Sequence, residues 1–78
     1  MNKEQVFKKV LEVYADVFGD DEQYDISTEF KDIDSWDSMD NVLFLSKLES
    51  SFNIKFTTGE LISIKTFEDI VNYIIEKL

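Results

Sequence analysis

The chain has 78 residues, 44% of them hydrophobic and eleven aromatic (seven Phe, three Tyr, one Trp), with no Pro and no Cys, so it must build one small core without disulfides. Seventeen acidic residues against eight basic give a net charge of −9, which opposes binding to nucleic acid and favours partners with basic surfaces. No apolar run reaches membrane length and no signal region is visible, so the expectation is a cytoplasmic, membrane-free monomer.

In chain order, Asn2 with Gln5 three residues on is a capping-box pattern. Val6, Phe7, Val10, Leu11, Tyr14, Val17 and Phe18 then hold one apolar face at helical spacing, and Gly19 supplies the left-handed stop. The first helix is expected over Lys3 to Phe18. Residues 19 to 37 follow as a connection longer than a helical bundle ordinarily needs. Tyr24, Ile26, Phe30, Ile33 and Trp36 are spaced to peg it onto the helices, with a short helical turn expected near Ile26 to Phe30.

From Met39 the helical period returns, with Asp37 or Ser38 as N-cap. At 100° per residue Val42, Leu45, Leu48, Glu49 and Phe52 are expected to face the core, flanked by Phe44 and Asn41. Met39, Leu43, Ser46, Lys47 and Ser50 project the other way, which leaves Met39 and Leu43 one turn apart on the outward side. They are either incidental exposed apolar residues or a docking face. Asn53 to Phe56 reads as an extended connector, and Thr58 as the cap of a short turn through Glu60, Leu61 and Ile62. Thr66 with Asp69 then opens a last helix whose stripe is Phe67, Ile70, Val71, Ile74, Ile75 and Leu78. The fold class is all-α: a small bundle of three main helices plus one short helix, with a long ordered loop between helices one and two, residues 1–78 forming a single domain.

Enzyme chemistry is poorly provided for. With no His, no Cys and no Gly-rich phosphate loop, a nucleophilic serine has no imidazole to activate it. An EF-hand beginning at Asp32 fails, because Trp36 takes its fifth position, Asp37 the glycine position and Leu43 that of the closing acid; no metal site is expected. What the junction at Ser38 does suit is covalent modification, since a helix N-terminus stabilises an added phosphate ester while Asp32, Asp34, Asp37 and Asp40 partly oppose it. The plainer role for Ser38 is that of a capping residue.

Asp37-Ser38-Met39-Asp40, followed by Val42, Leu45, Leu48, Glu49 and Phe52, with Phe30 eight residues ahead of Ser38, then Ile54, Ile64 and the stripe through Ile70, Val71, Tyr73 and Ile74, resembles the acyl carrier protein family over essentially the whole chain. The resemblance implies that Ser38 receives 4′-phosphopantetheine from coenzyme A through a phosphopantetheinyl transferase, with Asp37 and Met39 beside the attachment. It also implies a terminal thiol that carries acyl or aminoacyl groups to loading and processing enzymes, the chain itself being no enzyme. Asp40, Leu43, Lys47 and Ile64 are then expected as partner contacts. Leu43, Lys47 and Ser50 stand where fatty-acid carriers are commonly rich in Glu, which points to a dedicated biosynthetic pathway and to partners that read an apolar contact at Leu43. Trp36 stands where a small residue often precedes the Asp and reads as a plug seating the loop. The rival expectation is a non-catalytic acidic helical module that binds a basic partner, with Ser38 only a cap.

Overall fold

In a computed structural model, which describes residues 1–19 and 24–78, four α-helices follow one another: α1 (Lys3–Phe18), α2 (Ser38–Phe52), α3 (Thr58–Ser63) and α4 (Phe67–Lys77). A 3₁₀ turn, Phe30–Asp32, interrupts the loop between α1 and α2. The described residues contain no strand, only an isolated antiparallel bridge between Glu29 and Thr66. Residues 20–23 of the expected long connection lie outside the described residues.

Each α-helix opens on a complete capping box. In α1 the Asn2 Oδ1 accepts the Gln5 N–H at 2.8 Å while the Gln5 side chain accepts the Asn2 N–H at 3.0 Å. Two backbone donors that a helix start leaves unpaired are thus satisfied reciprocally. Gly19 ends α1 at φ 65° and donates to the Ala15 carbonyl, and a Cβ there would meet nothing within 4 Å. Its requirement is therefore backbone conformation alone. Asn53 closes α2 in the same left-handed region at φ 56°.

The core is one cluster fed by every long element: Val6, Val10 and Tyr14 from α1, Phe44, Leu45, Leu48 and Phe52 from α2, Phe67, Ile70, Val71 and Ile74 from α4. The centre is aromatic. Phe44 and Phe67 are fully buried with ring centroids 6.3 Å apart, and Tyr14 meets both edge-on. Such edge-to-face pairs add about 0.5–1.5 kcal/mol each beyond the area they bury.

Three sequence expectations are corrected. Val42 faces solvent, because the aromatic centre draws in Phe44 as one edge of the buried arc, which then closes at Leu45 and leaves Val42 roughly 60° beyond it. The helical turn in the loop lies at Phe30–Asp32, displaced from Ile26–Phe30, since Ile26 and Thr28 spend their carbonyls on the Glu68 and Phe67 N–H groups instead. The cap of α3 is Thr57, one residue ahead of Thr58, because only Thr57 stands three residues before Glu60 and completes the box.

The loop pegs hold as read. Phe30 is buried, and Tyr24, Ile26, Ile33 and Trp36 lie half-buried against the core. The Phe30 N–H donates to the Lys65 carbonyl at 2.9 Å and the Glu68 N–H to the Ile26 carbonyl at 2.8 Å. This short zipper fixes the loop ahead of α2 against the junction of α3 and α4. The two segments are brought to the same end of the bundle by tertiary contacts alone.

Candidate functional site

Ser38 is the first residue of α2 and its side chain is exposed. Asp37 is the N-cap: its Oδ1 accepts the Asp40 N–H at 2.9 Å, and the Asp40 Oδ2 accepts the Asp37 N–H at 3.2 Å. The two aspartates do the capping that Ser38 could have done. Among the described residues the Ser38 hydroxyl makes no hydrogen bond. A polar group at that position is free to point into solvent beside the positive end of a 15-residue helix.

An open groove of about 590 Å³ begins at Ser38. Asp37, Ser38 and Asn41 form its α2 side, Leu61, Ile62, Ile64 and Lys65 its α3 side, and Glu29, Phe30, Lys31 and Trp36 its loop side. The floor is apolar. Trp36 stacks on Phe30 with centroids 5.0 Å apart and rings 21° from parallel, and it meets Phe18 and Phe44 edge-on. It is the plug expected from sequence, and it also forms a wall of the groove. Ile64 lies in the groove with only 8% of its surface exposed.

The outward side of α2 carries more apolar surface than the sequence reading placed there. Met39 is 81% exposed, Val42 68% and Leu43 46%, and Lys47 is exposed beside them. Asp40 is half-buried in its capping role. The structure therefore gathers Asp37, Ser38 and Ile64 at the groove, and Met39, Leu43 and Lys47 on the adjoining face. Local periodicity had no means of finding the remaining groove walls, Lys31, Leu61, Ile62 and Lys65, because their proximity to Ser38 depends on the bridge between Glu29 and Thr66.

Behind the groove, α3 is held to α4 by polar contacts. Lys77 Nζ lies 2.8 Å from Glu60 Oε1, and the Ser63 and Tyr73 hydroxyls are 2.6 Å apart. The Lys77 ammonium, followed by the Thr57 N–H, holds the Glu60 carboxyl below the ordinary glutamate range. Among the described residues no cluster of three or more acidic or other ligating side chains could hold a metal ion. No helix there is long and apolar enough to cross a membrane.

A four-helix bundle with an unspent serine hydroxyl at the start of its second helix defines a carrier-type domain. Comparison with known proteins agrees: the family model described as a phosphopantetheine attachment site matches residues 8–74. An acyl carrier protein of Petrotoga mobilis is 34% identical, with all of this chain and 93% of that protein aligned. One from Thermotoga maritima is 37% identical over 99% of this chain and 96% of its own length. The crystal structure of an acyl carrier protein from Thermotoga maritima superposes with a TM-score of 0.85, covering 99% of this chain and 91% of the other at 24% identity, which bears on the fold. The chain belongs to the acyl carrier protein family, and its prosthetic group is 4′-phosphopantetheine. It is a carrier that meets acyl-processing enzymes, and the plain acidic adaptor is not favoured.

Proposed function

We propose that residues 1–78 form a single, discrete, non-catalytic carrier domain, monomeric and cytoplasmic, that bears its 4′-phosphopantetheine arm on Ser38 and serves a dedicated biosynthetic pathway. The observation that carries this reading is the division of labour at the head of α2. Asp37 and Asp40 satisfy the helix start between them, so the exposed Ser38 hydroxyl is not needed for stability.

When bound, the arm supplies the thiol that this cysteine-free chain lacks, and cargo rides on it as a thioester. The residues fit such a group. Ser38 Oγ would bond to the phosphorus of coenzyme A that bears the pantetheine arm as the diphosphate bond breaks and adenosine 3′,5′-bisphosphate leaves, its proton passing to a base on the transferase, since the chain offers no imidazole. The free N–H groups of the first turn and the helix dipole then favour the negative phosphodiester. Asp37 and Met39 flank the attachment, and Ile64 lines the groove that opens from it.

The test is mass spectrometry after incubation with coenzyme A, magnesium and a broad-specificity phosphopantetheinyl transferase. One added arm is expected on the wild type and none on Ser38→Ala; an unmodified wild type would refute the reading. Partner enzymes are proposed to dock on Met39, Leu43, Lys47 and Asp40. The exposed run of Met39, Val42 and Leu43 supports an apolar contact rather than a ladder of charges. Leu43→Glu is expected to slow loading by the cognate enzyme about tenfold or more, as the loss of one buried apolar contact implies. Unchanged loading would rule out that contact.

A further inference from the structure

With two Met and no Cys, the thioethers of Met1 and Met39 hold the only sulfur atoms of the polypeptide. A chain without thiols leaves methionine as the side chain that a peroxide oxidises most readily, and solvent access decides which methionine reacts. Met1 precedes α1, off the α2 face. Met39 is the second residue of α2, directly after Ser38, and is the most exposed large apolar side chain among the described residues. Three residues along a helix turn about 300° and four about 400°, so Val42 and Leu43 lie roughly 60° and 40° to either side of Met39. The thioether thus stands in the middle of the exposed apolar face, one residue from the attachment serine.

Two properties of the side chain make that position sensitive. Methionine is unbranched and polarisable, which lets it fit the surface of more than one partner. Its sulfoxide is polar and chiral, and an enzyme that closes over it must strip water from the new S=O group. The fold, by contrast, does not depend on Met39. It belongs neither to the buried core nor to the half-buried residues packed against it, and the start of α2 is held by Asp37 and Asp40. Oxidation there alters the docking face and leaves the bundle intact.

We propose that Met39 is a redox modification site that governs docking: hydrogen peroxide converts its thioether to the sulfoxide, and enzymes that read the apolar face of α2 engage this carrier poorly until the sulfoxide is reduced. This rests on the carrier reading and names a regulation of the same docking face. In the oxidation a sulfur lone pair attacks one peroxide oxygen, and the S–O bond forms as the O–O bond breaks. The proton on the attacked oxygen moves to the departing one, which leaves as water. Sulfur loses two electrons and the peroxide gains them. Return to the thioether takes a dithiol, which supplies two electrons and two protons, releases the oxygen as water and becomes a disulfide.

The experiment uses the full chain before any arm is attached, so that the oxidant meets Met39 and not the arm's thiol. Hydrogen peroxide is applied and removed with catalase, and peptide mass spectrometry locates the added oxygen. Arm addition is then timed with coenzyme A, magnesium and a broad-specificity phosphopantetheinyl transferase that has not met peroxide. Oxygen is expected on Met39, with kcat/KM for arm addition lowered about tenfold, as an unpaired polar group buried in the contact implies. Tm should stay unchanged, and the rate should recover after incubation with methionine sulfoxide reductases for both epimers and a dithiol. Each variant is compared with its own untreated rate: Met39→Leu should lose the sensitivity to peroxide, and Met39→Gln should be slow from the outset. Oxygen on Met1 or Trp36 with Met39 left reduced would overturn the proposal, as would Met39→Leu remaining equally sensitive. A Tm that falls in step with the rate would assign the loss to unfolding and overturn it too. An untreated wild type that takes no arm refutes the carrier reading and this proposal with it, whereas oxidised and untreated proteins that take the arm equally fast refute this proposal alone.

Discussion

Among the described residues Ser35 is one of two non-glycine residues with a positive φ, at 64°, and it stands directly before Trp36 in the turn that delivers the chain to α2. A side chain in that region costs about 1–2 kcal/mol relative to the right-handed one, and glycine avoids the cost while losing about 0.5–1 kcal/mol to greater freedom in the unfolded chain. Ser35→Gly is therefore expected to stabilise the protein by up to about 1 kcal/mol, read as a higher midpoint in urea. A lower midpoint would show that the Ser35 side chain makes a contact of its own. The same turn explains why Trp36 can lie flat on Phe30 while Asp37, one residue on, is already extended as the cap of α2.

Among the elements, α3 depends most on polar contacts. It has six residues and buries no side chain fully, so its position against α4 rests on Glu60 with Lys77 and Ser63 with Tyr73. Lys77 also sits in the last turn of α4, where a cation opposes the negative helix end. Because the Glu60 carboxyl is held below its ordinary range by Lys77, its contribution is whole above the unfolded-state value and is lost as pH falls through the lowered folded-state one. Glu60→Gln keeps the acceptor for the Thr57 N–H but removes the charge. The wild type is expected to melt above this variant at neutral pH, with the gap closing in acid below the carboxylate range. A gap independent of pH would exclude the ion pair as its source. The α2 element shows where periodicity misleads: a stripe of Val42, Leu45, Leu48 and Phe52 is as regular as one of Phe44, Leu45, Leu48 and Phe52. Only the partners on α1 and α4 select the second.

On the scale of the whole molecule, a net charge of −9 is carried on a body of 30 × 25 × 21 Å. Many carboxylates therefore lie within about one Debye length, roughly 10 Å at 0.1 M salt, of another. Folding concentrates that charge, so screening should favour the folded state. Raising sodium chloride or adding magnesium is expected to raise Tm, and a midpoint insensitive to ionic strength would contradict it. Among the described residues three ion pairs, Lys3 with Glu68, Lys31 with Glu29 and Lys77 with Glu60, leave most of the acidic side chains uncompensated. That excess is available to a basic partner.

The helices were legible in the sequence because their causes are local: capping pairs three residues apart, an apolar stripe at helical period, a glycine after Phe18. Ser38 was legible for the same reason, as a serine between an aspartate cap and an apolar run that matches a family pattern. The choice between cap and free hydroxyl was not, since Asp37 and Ser38 are equally good capping residues by type and only the Asp37 and Asp40 hydrogen bonds distinguish them. The groove was equally invisible, because its walls come from three segments joined by the bridge at Glu29 and Thr66. Sequence alone determined the elements and the place of Ser38 at the head of α2, through interactions that span one helical turn. Tertiary structure decided which face of α2 is buried, what leaves Ser38 unspent and which lysines meet beside it, because these depend on side chains far apart in the chain sharing one aromatic core.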